Sequence, residues 1–101
     1  MKKTHKKIDN QLRVTLTKVC EIALENVAGF QWLTHLVDYD NFPASLKIIC
    51  VFDTIQNEML AQQNQHAYLC ELINRELLKE NIKLSDINRQ VRFDCEERRD
   101  H

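Results

Sequence analysis

His35, Asp38 and Asp53 are the residues of this 101-residue chain whose types and placement come nearest to catalysis. An imidazole and two carboxylates can share general acid and base work, or hold a metal, when they converge on one pocket. In the hydrophobic pattern His35 falls mid-strand, Asp38 near the end of that strand, and Asp53 at the end of the next. Antiparallel neighbours send those two ends to opposite edges of a sheet, so the two acids are expected to stay apart. Each also has a local use, Asp53 as the cap of a following helix and Asp38 in the approach to a turn.

The remaining reactive side chains follow the same logic. Cys20, Cys50, Cys70 and Cys95 stand 30, 20 and 25 residues apart, with no CxxC or CxH grouping of the kind a redox pair or zinc knuckle uses. Each falls on an inward face of its element, so they are expected to pack as small hydrophobes in a reducing compartment. His66 and Cys70 form an i, i+4 pair, half of a metal site whose other half the sequence does not supply. Gly29 is the only glycine, which leaves no phosphate-cradling loop. No catalytic, metal or cofactor-binding set is assigned, and no cofactor is expected.

The elements that position these residues can be read from period and punctuation. Ile8, Leu12, Leu16, Val19, Cys20, Ala23, Leu24 and Val27 recur at three- and four-residue steps, which predicts a helix over 8–27 that Gly29 stops. Residues 30–39 and 46–52 read as strands around the turn Asp40-Asn41-Phe42-Pro43-Ala44-Ser45. The first strand is apolar on both faces, with Phe30, Trp32, Thr34 and Leu36 opposed to Leu33, His35, Val37 and Tyr39. A helical region over 55–80 is expected to break near 64–66, with a capping box from Asp53 to Gln56 at its start. A third strand follows at 90–96, its charges on the outward face.

The predicted fold class is therefore α+β, in the order α-β-β-α-α-β: a three-stranded antiparallel sheet of order 2-1-3 with helices on one face. One domain spans residues 1–101, with 1–7 as a basic flexible arm and 97–101 as a charged tail. The composition, 44% hydrophobic and 29% charged, is that of a soluble globule. No apolar run approaches the roughly 20 residues of a membrane span, and no apolar segment follows the basic start as it would in a secretory signal. The expected compartment is the cytoplasm. Lys2, Lys3, Lys6, Lys7 and Arg13 face only Asp9 within the first 14 residues, so that segment carries +4 in a chain of net charge −1. These five are the candidate nucleic-acid-binding residues, since a basic tip can meet phosphates.

Two resemblances add to this. The segments GFQWLTHLVDY, FPASLKIICVFDT and VRFD resemble the signature of a family of short bacterial proteins of uncharacterised activity, some of which carry a label as Fis-like regulators. The order α-β-β-α-α-β is similar to that of type II KH domains and ribosome-binding-factor-A-like proteins, which implies binding to single-stranded or ribosomal RNA. That family clamps its ligand with a GxxG loop between two helices. Here Gln62-Gln63-Asn64-Gln65 stands in that place.

Three functional classes emerge. The first is a non-catalytic protein that binds a protein partner or a second copy of itself through the hairpin, with Trp32, His35, Tyr39 and Phe42 as anchors. The second is RNA or DNA binding through the basic N-terminal residues. The third is an enzyme or metal site around His35 and Asp38.

Overall fold

Leu12, Leu16, Val19 and Ala23 are all buried and lie on one side of a long helix, α1 (Lys3–Asn26), whose other side carries charge to solvent. The computed structural model describes residues 3–99. After α1 come β1 (Phe30–Leu36), a 3-10 turn (Tyr39–Asn41), β2 (Lys47–Phe52), α2 (Ile55–Asn64), α3 (His66–Leu78), a one-turn α4 (Ile87–Gln90), β3 (Val91–Cys95) and a one-turn α5 (Glu96–Arg99). Gly29, at φ +80, makes the left-handed turn between α1 and β1. The break expected near 64–66 falls at Gln65, and Asn81, at φ 60, closes α3 with Ile82 N–H bonded to the Leu77 carbonyl.

The chain is α+β with a three-stranded sheet, but the sheet is mixed and its order is β1-β2-β3. β1 and β2 are antiparallel, as expected; β3 lies parallel to β2, and β1 is an edge, not the centre. The expectation of an all-antiparallel 2-1-3 sheet is corrected by the burial demand of β2. Ile48, Cys50 and Phe52 face the helices while Val51 is buried on the opposite face, so β2 needs a neighbour on each side. The helical connection α2–α3 returns the chain beside β2 in a β-α-β crossover.

α1 and α3 meet over one face of the sheet, where Phe52 packs edge-on against Phe30 at 5.9 Å and tilted against Phe93 at 5.3 Å. Fully burying a side chain of that size stabilises the fold by roughly 2–3 kcal/mol. A bulge between Phe30 and Trp32 turns Phe30 onto this core face, leaving Trp32, Thr34 and Leu36 on the second face. Simple alternation put all four together. Glu76 of α3, 4% exposed, fastens the helices to each other: Lys18 of α1 reaches it at 3.2 Å and Lys79 at 2.9 Å. Those donors, Lys79 first, hold its carboxyl down to about 2.

Both termini depart from expectation. The supposed flexible arm is, from Lys3 onward, part of the N-terminal end of α1; Met1 and Lys2 lie outside the described residues. The supposed charged tail folds, up to Arg99, into α5. Its Glu97 carboxylate accepts the Ile55 N–H, and its Glu96 carboxylate accepts the Trp32 indole N–H at 3.2 Å. Arg99 lies 4.9 Å over the Trp32 ring and 3.0 Å from Asp94, so α5 covers one end of the sheet's second face.

Candidate functional site

The long axis of the hairpin separates the residues first considered for chemistry. Asp53 N–H bonds to the Gly29 carbonyl at the start of β1, whereas Asp38 lies past its other end. Asp53 accepts from Thr54 N–H at 2.7 Å and from the Asn57 amide at 2.8 Å, and the Asn57 bond draws its carboxyl below the ordinary range. The helix cap itself is Thr54, one residue later than the sequence suggested, whose Oγ1 accepts from Asn57 N–H. The Asp38 carboxylate accepts from Asp40 N–H, and Ser45 Oγ bridges the Asp38 backbone. His35 sits in β1 opposite Ile48.

Of the other anchors, Trp32 is held by α5 as described. Tyr39 donates its hydroxyl to Asp9 at 2.6 Å and stacks on His5 at 5.4 Å, and that bond to a carboxylate raises its pKa. Phe42 packs against the core from the loop after β1. Trp32, Tyr39 and Phe42 are thus each engaged within the chain, and the four do not form one patch. Lys3, Lys6 and Lys7 are exposed on α1, Arg13 pairs with Asp9 at 3.2 Å, and Lys2 lies outside the described residues.

All four cysteines are free thiols. Cys50 is wholly buried and desolvation pushes it up to about 12, while burial also raises Cys70, whose sulfur lies 3.8 Å from the His66 ring nitrogens. A tighter cluster escaped the sequence reading: donor atoms of Glu58, Asp94 and Cys95 lie within 4.8 Å of one another. Arg98 is paired to Glu58, Arg99 is paired to Asp94, and Asp94 also accepts Cys95 N–H. Each carboxylate therefore already has a guanidinium partner, and the cluster serves to clamp α5 onto α2 and β3.

What the fold leaves open is the outer edge of β1. Its seven residues, FQWLTHL, contain no proline, lysine, arginine or acid, and no described strand pairs with its outer side. Leu33, Thr34 and His35 are consecutive and so alternate between faces, yet all three line one groove of about 300 Å³. The groove therefore opens at the backbone edge itself. Its far wall is α1, through Arg13, Leu16, Cys20 and Glu21. Beside it Leu36 is 59% exposed on the second face. Natural sheets guard such edges with charge, proline, a bulge or a covering element, and of these β1 has the bulge at its first residues alone. β3, the opposite edge, has that protection in Arg92 and Asp94, with α4 and α5 at its two ends.

The fold and groove define the class: a small α+β protein with one unguarded sheet edge. No protein-family model, curated protein or solved structure matches the chain.

Proposed function

We propose that the protein is a non-catalytic association module that works as a homodimer, two copies joining antiparallel along β1 into a continuous six-stranded sheet. The observation that carries this reading is the uncharged, proline-free edge of β1 opening into the groove beside α1. A two-fold antiparallel contact brings the residues at the centre of the strand close to their own copies, so charge placed there would repel itself. β1 has no charge to repel. Centred on Leu33, the pairing sets Thr34 opposite Trp32 and His35 opposite Gln31, and the incoming strand meets the α1 wall, where Leu16 and Cys20 lie among Arg13, Thr17 and Glu21. Strand addition of this kind draws affinity from main-chain hydrogen bonds. Free buried thiols suit a reducing cytoplasm. No described helix is long and apolar enough to cross a membrane.

The test uses charge at Thr34, half-buried on the second face, where two mates lie a diagonal neighbour apart, roughly 7–8 Å. Thr34→Lys and Thr34→Glu are each expected to run as monomers in light scattering, while an equimolar mixture recovers the dimer. Wild-type protein that is monomeric at 100 μM, or variants that stay dimeric alone, would overturn the proposal.

A further inference from the structure

We infer that a second surface, at the β3 edge of the sheet, binds single-stranded nucleic acid. Lys47 opens β2 and Arg92 stands on β3 in register with Ile49, two residues along from Lys47. Alternation puts both cations on the second face as diagonal neighbours, two like charges on one part of the sheet. Neither forms an ion pair with any described residue. Arg89 adds a third cation, held only by a 3.7 Å contact to Asp86. The three line a cavity of about 550 Å³ together with Ser85 and Asp86.

The walls of this cavity are braced from beneath. Gln90 is buried, and its amide nitrogen donates to the carbonyls of Pro43 and Leu46, each at 3.0 Å. Its Oε1 accepts Asp86 N–H at 2.7 Å. One side chain thus fixes the loop before β2 to the loop before α4, and the cations stand on a framework that is already set. Preorganisation of that kind lowers the ordering cost of binding.

A second groove, of about 330 Å³, shares Arg89 and Arg92 with the first. Its lining brings different chemistry: the rings of His66 and Phe93, 5.6 Å apart, and the amides of Gln62 and Asn88. Cations on one side of two shared arginines and flat rings with amides on the other match the two halves of a nucleotide. Phosphates fit the first groove, and unpaired bases stack and hydrogen-bond in the second. A duplex keeps its bases inside and has no use for the aromatic groove, and a free phosphate has none either. The residues differ from the N-terminal lysines and none belongs to β1, so the inference stands whether or not the β1 dimer does.

Anisotropy of a fluorescein-labelled oligouridine of about 12 nucleotides tests this at about 50 and about 200 mM salt. Three phosphate contacts on a single strand give a salt slope near −2, so affinity should fall about 20-fold over that range. The Lys47→Glu/Arg92→Glu protein should lose at least tenfold, and Arg92→Gln, which removes charge without reversing it, a smaller share. Phe93→Leu should weaken RNA binding, while Lys3→Glu/Lys6→Glu/Lys7→Glu should leave it in place. No binding at 50 mM salt overturns the inference, as do an unaffected Lys47→Glu/Arg92→Glu protein, equal affinity for a duplex of the same length, or calorimetric binding of inorganic phosphate alone.

Discussion

Glu76→Gln removes one negative charge from the junction of α1 and α3 and keeps the side chain's shape. The carboxylate is 4% exposed and receives Lys79 at 2.9 Å, Lys18 at 3.2 Å and Arg75 at 3.4 Å. Its pKa falls from 4.5 to about 2 on folding. At 1.36 kcal/mol per unit that drop gives roughly 3 kcal/mol as an upper bound. All three cations are more than half exposed, and solvent screening reduces the figure to about 2 kcal/mol. Because the folded pKa is depressed, the stabilisation is complete above the unfolded value of 4.5 and is lost as pH falls toward about 2. Urea unfolding of wild type and variant from pH 7 to pH 3 measures it. The difference should be about 2 kcal/mol at neutral pH and less than about half that near pH 3. A difference that keeps its size across the range would refute the electrostatic origin, and one under about 0.5 kcal/mol at pH 7 would refute the magnitude.

Three other perturbations have definite outcomes. Gln90→Leu strands the Leu46 carbonyl and the N–H of Asp86 and leaves the Pro43 carbonyl with only the Leu46 N–H, so chemical denaturation should show a loss of about 2–4 kcal/mol. Gly29→Ala would place a Cβ 2.6 Å from Asn57 Cβ at a φ of +80, and the melting temperature should drop by more than a Gly-to-Ala change costs in open space. Trp32→Phe keeps an aromatic ring but loses the bond to Glu96, so trypsin should cut at Arg98 or Arg99 faster than in wild type while the core amides keep their protection.

The sequence made some of this visible and hid the rest for physical reasons. α1 and α3 were readable because single-sided burial leaves a helical period, and Gly29 and Asn81 because left-handed turns select those residues. Strand order was not readable: both hairpin strands are apolar on both faces, and only tertiary burial separates β2, wedged between neighbours, from β1, whose Trp32 is covered by α5. The bulge near Gln31 also shifts Phe30 across the sheet without any glycine or proline to announce it. The edge did leave a trace, since of the two edge strands FQWLTHL is the one without charge and VRFDC the one with it. The cation set at Lys47, Arg89 and Arg92 draws on residues more than 40 positions apart, and a scan for basic runs sees only the N-terminal lysines.

The β1 dimer is tested most directly by hydrogen–deuterium exchange of the amides from Gln31 to Leu36 at about 1 and about 100 μM protein, with the mass in solution recorded alongside. An edge strand bonded on one side exposes its outward amides, and pairing with a second copy covers them. Alternate β1 amides should become protected at the higher concentration as the mass doubles, while those of β3 do not change. Identical β1 exchange at both concentrations, with a mass that stays that of one chain, would contradict it.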